Sequence, residues 1–181
     1  MCVIIWAPSG KVPLDQIIRS MNRHPHGWGF AVATGKNVLS YKSVNPDRFL
    51  DAWKNRVKGP VLFHARWATH GPVVTANCHP FTLKGHGMVA AHNGIIPGFG
   101  RGEMSDTRHF VEEVLCPMPK WFLEDSTIKD NITSLLQGSK LVLLDKWANV
   151  EILNEALGLW HQGRWYSNTS ALTVPTIPLT R

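Results

Sequence analysis

The sequence predicts an α+β domain in which groups of short antiparallel strands are separated by helices. Two observations lead to this class. Short apolar runs bounded by glycine, proline or asparagine are typical of strands, and they come in neighbouring groups. Between these groups, apolar residues recur at helical spacing. A doubly wound parallel sheet would instead alternate single strands with single helices, so the grouping favours α+β.

Local signals predict the strands and helices of the first half of the chain. Segment 34–37 is typical of a hairpin turn, and Pro13 and Asn45-Pro46 mark helix starts, because proline is favoured in the first helical turn. The predicted strands are 2–7, 27–32, 38–43 and 61–66, and the predicted helices contain Leu14, Ile17, Ile18 and Met21 in one case and Phe49, Leu50 and Trp53 in the other.

The second half repeats this organisation. Ser105 is the expected N-cap of a helix, with Asp106 in its first turn. From Ser167 onward the chain is rich in Ser, Thr and Pro, so 167–181 is expected to be an irregular tail. The predicted strands are 88–92, 141–144, 150–153 and 164–166, with 141–153 forming a hairpin, and the predicted helices contain Phe110, Val111, Val114 and Leu115 in one case and residues 131–136 in the other.

Size and composition indicate a single domain that covers 1–181. The chain has 181 residues, of which 44% are hydrophobic and 18% charged, and no linker or repeat divides it. No apolar run approaches the roughly 20 residues of a membrane span, and the N-terminus lacks the basic segment of a signal peptide. We therefore expect a cytoplasmic protein that does not engage a membrane.

Charge and cysteine content narrow the classes of partner and cofactor. The net charge of +6 suggests binding to nucleic acid, but the basic residues are scattered along the sequence, so a basic face exposed to solvent is favoured. Binding to an acidic partner protein is the alternative. Cys2, Cys78 and Cys116 are far apart, which argues against a disulfide framework. Neither common glycine-rich phosphate-binding motif occurs, and we predict no cofactor.

Cys2 is the first candidate for chemistry. Removal of Met1 would leave Cys2 with a thiol and an α-amine on one carbon. That amine has an ordinary pKa of about 7.7–8.0, so it can take the thiol proton and supply nucleophile and base together. From this position alone, a small buried apolar residue on an edge strand is the favoured alternative.

Arg66 stands where a buried strand gives way to a polar loop. An arginine there suits a two-point grip on a carboxylate, and pairing with a structural acid is the alternative. A metal site would combine His64, His70, Cys78 and His79. Their spacing matches no familiar zinc pattern and the loop contains no acid, so we favour the carboxylate grip and predict no metal.

His92-Asn93-Gly94 and Asp106 complete the candidate groups. Asn-Gly is a common tight turn, but a side-chain amide and the next backbone N–H can also converge on one oxyanion. Asp106 either favours its helix N-terminus or binds an ammonium group. Together with Cys2 and Arg66, these groups indicate a site for an amino acid with a scissile side-chain amide.

Six segments in this order resemble the class II glutamine amidotransferase domain of the N-terminal-nucleophile hydrolases. They are Cys2, Gly-Trp-Gly at 27–29, RWATHG at 66–71, NCHP at 77–80, HNGII at 92–96 and SDT at 105–107. The resemblance is clear over residues 2–115 and loose beyond. It implies a four-layer αββα sandwich with two antiparallel sheets, and a glutaminase that releases ammonia through a glutamyl thioester.

The resemblance also implies a role for each site residue. Cys2 would be the nucleophile, and Asn93 with the Gly94 N–H would hold the oxyanion. Arg66 would bind the α-carboxylate of glutamine, and Asp106 the α-amine. The remaining implied contacts are Thr69 and His79 at the carboxylate end and Trp67 to Gly71, including His70, in a loop that closes over the substrate.

Departures from the pattern keep other functions open. Cys78 stands where alanine is usual, His24-Pro25-His26 is an unusual approach to Gly27, and the short glycine-rich loop 97–103 is expected to leave the pocket open. Full-length members carry a second domain that uses the ammonia, so an ammonia-accepting synthase partner is expected. The alternatives are an amidohydrolase for another γ-glutamyl amide, and a basic binding module in which Cys2 is inert.

Overall fold

The computed structural model describes residues 1–172, in which ten strands form two antiparallel sheets flanked by four α-helices. The strands are β1 (Val3–Ala7), β2 (Trp28–Ala33), β3 (Val38–Ser43), β4 (Val61–Ala65), β5 (Phe81–Leu83), β6 (Met88–Asn93), β7 (Lys140–Asp145), β8 (Val150–Leu153), β9 (Leu159–His161) and β10 (Arg164–Tyr166). The helices are α1 (Leu14–Arg23), α2 (Pro46–Arg56), α3 (Asp106–Phe110) and α4 (Ser126–Leu136). In this part of the chain no helix is long and apolar enough to cross a membrane.

Strand order explains how distant segments meet. The larger sheet has the order β3-β2-β4-β1-β10-β9, and the smaller has β5-β6-β7-β8. In the larger sheet β1 is central, with β4 on one side and β10 on the other, both antiparallel to it. The two ends of the described chain are thereby joined in one sheet.

Alternating side chains on β1 show that the sheets are layered. Val3 and Ile5 face one core with apolar residues of α1 and α2, whereas Ile4 and Trp6 face a second core. Because successive strand residues point to opposite faces, β1 is buried on both sides. The second core contains residues of both sheets, so it is the layer between them.

A third core closes the other side of the smaller sheet. It joins residues of β5 to β8 with Phe110, Val111, Ile132 and Leu136 from the helical segments. Three cores between four layers give the order helix, sheet, sheet, helix. The predicted α+β class and the four-layer αββα arrangement are therefore confirmed.

Helix starts agree with the local signals. Asn45 caps α2 by accepting from the Arg48 N–H, and Ser105 caps α3 by accepting from the Arg108 N–H. Helix α3 continues directly into a π-helix, Val111–Leu115. Helix α4 begins before the predicted residue 131, because Asp125 caps it.

Two strands were not predicted, and the tail is more structured than expected. β5 and β9 have three residues each and lie at sheet edges, so they are too short for an alternating pattern to reveal. Residues 167–172 contain a 3-10 helix, Thr169–Ala171, whose Ala171 is buried in the core with α1. Residues 173–181 of the expected irregular tail lie outside the described part.

Phe30 should be a strong stability determinant, because its ring is fully buried and packs against Phe49 and Trp53. We expect Phe30→Ala to lower the free energy of unfolding by about 3–5 kcal/mol, measured by chemical denaturation. Trp121→Ala is the control, because Trp121 is 53% exposed, and it should cost less than about 1 kcal/mol. Equal losses for the two variants would contradict the assigned core.

Candidate active site

Cys2 lies at the start of the central strand, beside the end of β4. Its Sγ accepts from the Trp67 N–H at 3.3 Å and lies 3.5 Å from the Trp67 carbonyl oxygen. Asn168 donates from Nδ2 to the Cys2 carbonyl oxygen at 2.8 Å, which fixes the main chain from the opposite side. The side chain is buried, so the thiol is held in one place rather than on a flexible terminus.

Burial raises the pKa of the Cys2 thiol, and this effect outweighs the lowering by the Trp67 N–H, by the N-terminal ammonium of Met1 and by the Arg66 charge. With Met1 in place, the thiol is therefore protonated at neutral pH. Within residues 1–172, Sγ is hydrogen-bonded to the main chain of Trp67 and to no titratable side chain. Attack by this thiol thus requires a base from elsewhere, and an α-amine on the same residue would suffice.

Gly94 supplies an unused backbone donor in the cavities that Cys2 lines. Its φ is +143°, and a Cβ there would lie 2.1 Å from Ser139 Cβ, so only glycine fits. The Gly94 N–H donates to no acceptor within the described residues. It lines the same cavities as Cys2, where it is available to an oxygen.

Asn93 ends β6 beside Gly94, and its side chain is buried. Its Nδ2 donates to Ser167 Oγ at 2.6 Å, while its Oδ1 is buried with no hydrogen-bond partner in the described chain. Asn93 lines the cavity that also contains Cys2 and Gly94. The amide and the Gly94 N–H therefore adjoin the thiol.

The Arg66 guanidinium is a buried cation without an acidic partner in the described residues. It is 3% exposed and donates to the carbonyl oxygens of His70 at 2.6 Å and Pro72 at 3.0 Å. No carboxylate of residues 1–172 forms an ion pair with it. A buried cation without an anionic partner lowers stability, so the geometry favours a carboxylate that binds from outside over a structural acid of the chain.

Asp106 supplies the opposite charge across the same cavity. Its carboxylate accepts from the Ile96 N–H at 2.9 Å and the Thr107 N–H at 2.8 Å, and no cation of the described chain pairs with it. Both Arg66 and Asp106 line the small cavity against Cys2. The site therefore presents one buried cation and one buried anion to whatever binds there.

His79 faces this cavity as a neutral donor. Its Nδ1 accepts from the His92 N–H at 3.2 Å, so a neutral ring carries its proton on Nε2. Burial holds the pKa of His79 well below its usual range, which keeps the ring neutral. Nε2 has no acceptor among the described residues and is free to donate to a ligand.

The loop 67–71 covers the site and is fixed at both ends. His26 accepts from the Ala68 N–H at 2.9 Å and stacks its ring on Trp67. Trp67 and Thr69 are exposed at the rim, whereas the His70 ring packs so closely on Gly100 that a Cβ there would lie 2.4 Å from it. The position of the loop therefore depends on contacts with His26, which precedes it in the sequence, and with Gly100, which follows it.

His79 is one of three buried histidines at the site whose lowered pKa opposes protonation; the other two are His64 and His92. His92 accepts from Thr107 at Nδ1 and donates from Nε2 to Ser139 Oγ, whose own proton goes to the Leu136 carbonyl oxygen. Burial lowers the pKa of His92 to about 4, and it lowers the pKa of His64 as well. No group of three His, Cys, Asp or Glu side chains in residues 1–172 is arranged to hold a metal ion.

Two adjoining cavities meet at Cys2. The inner one, of about 10 Å³, is lined by Arg66, His79 and Asp106. The outer one, of about 530 Å³, is lined by residues that include Asn93 and Lys140. Every predicted site residue lines at least one of these cavities; those not yet named here are Trp67, Thr69, His70 and Gly94.

Several residues at the site were not singled out from sequence. Asn77 ties the loops together, since its amide donates to the carbonyl oxygens of Pro72 and Glu103 and accepts from the Ser105 N–H. Ser167 and Asn168, which were assigned to the irregular tail, contact Asn93 and Cys2. Of these residues, only Asn77 carried a signal, its place in the NCHP segment; the other two depend on strand pairing between distant segments.

Sequence comparisons find relatives among amidotransferases. The chain is 31% identical over 119 residues to glutamine–fructose-6-phosphate aminotransferase (isomerizing) of Streptomyces coelicolor, an alignment that covers 60% of this chain and 19% of the relative. It is 33% identical over 92 residues to the putative glutamine amidotransferase YafJ of Escherichia coli, covering 47% of this chain and 36% of that protein. The chain thus spans well under half of these curated relatives. No protein-family model matches it.

Comparison with solved structures supports the fold. Glutamine phosphoribosylpyrophosphate amidotransferase from B. subtilis superposes with a TM-score of 0.55 at 18% identity, over 94% of this chain and 42% of that one. The resemblance to class II glutamine amidotransferases is confirmed by these findings. The chain is thus similar in sequence to glutamine amidotransferases, a class of enzymes, and shares the fold of the solved amidotransferase.

The buried histidines should make the protein sensitive to acid. The unfolded chain takes up a proton on His92 near pH 6.5, whereas the folded chain does so only near pH 4. Stability is therefore full above about pH 6.5 and falls as the pH drops from 6.5 to 4, by about 3 kcal/mol for this residue. Urea denaturation at pH 7.5 and 4.5 should show a smaller acid loss in His92→Gln than in the wild type.

Exposed His161 provides the control for this experiment. His161→Gln should lose as much stability in acid as the wild type does. An identical pH dependence in His92→Gln and the wild type would contradict the assignment of His92 as a buried, neutral group.

Proposed function

We propose that this domain hydrolyses the side-chain amide of glutamine to glutamate and ammonia, with Cys2 as the nucleophile. The observation that carries the proposal is the pair of opposite buried charges, Arg66 and Asp106, that line one small cavity with the thiol. A free amino acid carries a carboxylate and an ammonium on one carbon. An unpaired guanidinium and an unpaired carboxylate are complementary to that zwitterion.

Binding orients the substrate before any bond changes. Arg66 takes the α-carboxylate, with the His79 Nε2–H and Thr69 at the same end, and Asp106 takes the α-ammonium. The inner cavity is too small for an amino acid as it stands, so the loop 67–71 must shift for entry. The main-chain carbonyl groups of His70 and Gly71 in this loop accept from Arg66, and a carboxylate would replace these contacts.

The chemistry then proceeds in two covalent steps. The α-amine of Cys2 accepts the thiol proton as Sγ attacks the side-chain carbonyl carbon, and the oxyanion is stabilised by Asn93 and the Gly94 N–H. The same proton passes to the leaving nitrogen, the C–N bond breaks, and ammonia departs from a glutamyl thioester. Water then adds to the thioester and gives a proton to the α-amine, the C–S bond breaks, that proton returns to the Cys2 sulfur, and glutamate leaves.

A second candidate substrate is a γ-glutamyl amide other than glutamine. The observation that favours it is the outer cavity of about 530 Å³ next to Cys2, since ammonia needs far less room. This cavity volume is consistent with the expectation that the short loop 97–103 leaves the pocket open. Glutamine and a larger γ-glutamyl amide share the half that Arg66 and Asp106 would bind, so they differ only in the leaving amine.

The proposed setting is the cytoplasm, with a synthase that accepts the ammonia as partner. All three cysteines are free thiols, which fits a reducing compartment. The relatives are named as an aminotransferase and an amidotransferase, which supports a proposed partner that accepts the ammonia. The proposal requires no cofactor, no metal, no membrane and no nucleic acid, because each step uses groups of the chain, the substrate and water.

Hydrolysis should require both the thiol and the free α-amine of Cys2. Cys2→Ala should lower glutamate and ammonia release by several orders of magnitude. Protein that retains Met1 should be equally inactive, because an amide nitrogen is not a base. The assay compares glutamine with larger γ-glutamyl amides and asparagine, and intact-mass measurement shows where each sample begins.

Cys116→Ala is the matched control, since Cys116 is a free cysteine outside both cavities, and it should retain activity. Full activity in a sample that retains Met1 would exclude the α-amine as the base. Preference for a larger γ-glutamyl amide would select the second candidate, and failure of the whole panel would refute the proposed function.

Arg66→Lys should weaken substrate binding more than it slows the saturated enzyme. Lysine keeps the charge but loses the planar two-point contact, so KM should rise by about tenfold or more, with a smaller fall in kcat. Steady-state kinetics of wild type and variant give both constants. Arg48→Lys, at an exposed position on α2, should leave both unchanged, and an unaltered KM in Arg66→Lys would make Arg66 structural.

A further inference from the structure

Ser167 is a buried hydroxyl at the junction of the two sheets. It follows β10 and lies opposite Ile4 of β1, with its N–H donating to the Ile4 carbonyl oxygen at 3.0 Å. Its Oγ accepts from the Ile4 N–H at 2.8 Å and lies 2.6 Å from Asn93 Nδ2. The side chain is fully buried, so the backbone sets the position of this hydroxyl.

The hydrogen bonds around Ser167 leave two groups unsatisfied. With the Ile4 N–H and Asn93 Nδ2 both donating to Oγ, the hydroxyl proton has no acceptor in the described chain. Asn93 Oδ1 is likewise buried without a donor. Buried polar groups without hydrogen-bond partners are destabilising, so an arrangement that gives both of them a partner is favoured.

A half-turn of the Asn93 amide provides that arrangement. Oδ1 and Nδ2 exchange places, Ser167 donates its proton to Oδ1, and the Ile4 N–H still donates to Oγ. Nδ2 then takes the place of the unpartnered oxygen, at the edge of the amide that Ser167 does not hold. At that edge Nδ2 is buried and has no acceptor in the described chain, and because Asn93 lines the cavity with Cys2 and Gly94, an oxygen bound there would be its acceptor.

We propose that Ser167 is a positioning residue, which fixes the Asn93 amide with Nδ2 as the donor toward the reacting oxygen. The other orientation would set the partial negative charge of Oδ1 against the developing oxyanion. The inference rests on the proposed function for its effect on rate, but the orientation itself is a property of the folded chain. Ser167 would thus determine whether Asn93 stabilises or opposes the transition state.

A double-mutant cycle in protein that begins at Cys2 tests this role. Asn93→Ala should lower kcat by roughly 10²–10³. Ser167→Ala should lower kcat by about tenfold or more with KM changed less than about twofold, because substrate binding is untouched. In the Asn93→Ala background the same Ser167→Ala change should have no further effect on kcat.

Ser20→Ala is the matched control, because Ser20 is also fully buried and donates to a main-chain carbonyl on α1, away from the cavities. It should leave kcat unchanged. An equal loss from Ser167→Ala in both backgrounds, or no loss in either, would overturn the proposal while glutamine hydrolysis by the wild type still stood.

Neutron diffraction from deuterium-exchanged wild-type crystals tests the orientation without activity. We expect deuterium on the Asn93 edge away from Ser167, and a Ser167 O–D directed at Oδ1. Amide deuterium on the edge that faces Ser167 would overturn the proposal. This result applies even if no amide in the panel is hydrolysed, so failure of the proposed function and failure of the positioning role are separate outcomes.

Discussion

The antiparallel pairing of β1 with both β4 and β10 is the constraint on which the site depends. The register Val3 with Ala65 extends to Cys2 beside Arg66, and the register Ile5 with Tyr166 extends to Ile4 beside Ser167. A slip of one residue would turn every side chain of β1 to the opposite face. Burial of β1 on both faces prevents this, so the cores fix the position of Cys2, the proposed nucleophile, as well as the fold.

The charged groups of the site reduce stability and are held in place by the same framework. Arg66 and Asp106 are buried without ion-pair partners in the described chain, and each is instead held by main-chain groups of nearby loops. Such groups are costly in a folded protein and useful in a binding site, because they are already desolvated and oriented when a substrate arrives. Two of the three carbonyl groups that hold Arg66, those of His70 and Gly71, belong to the covering loop, so the positions of the loop and of the cation are coupled.

The sequence was sufficient to predict structure that depends on nearby residues, but not contacts between segments that are distant in the chain. The caps at Asn45 and Ser105 were readable because their partners lie three residues away. Cys2, Arg66 and Asp106 could be grouped because their chemistry is complementary and their segments resemble a known family. Ser167 could not be assigned, since its partners are 163 and 74 residues distant and nothing in a Ser-rich segment marks one serine as buried. Nor did the sequence indicate that burial would raise the pKa of the Cys2 thiol.

That raised pKa explains why a base attached to the nucleophile itself is chemically consistent with the site. A thiol that is ionised before substrate arrives needs no base, but a buried thiol stays protonated and must lose its proton during attack. Sγ hydrogen-bonds with the main chain of Trp67, and in residues 1–172 no titratable side chain is hydrogen-bonded to it. A free α-amine on Cys2 would lie on the same residue as the thiol. It could therefore act as the base without adding another side chain to the cavity that is proposed to bind the substrate. In the proposed mechanism, burial, which keeps the thiol neutral, and removal of Met1, which would free the α-amine as its base, are therefore complementary.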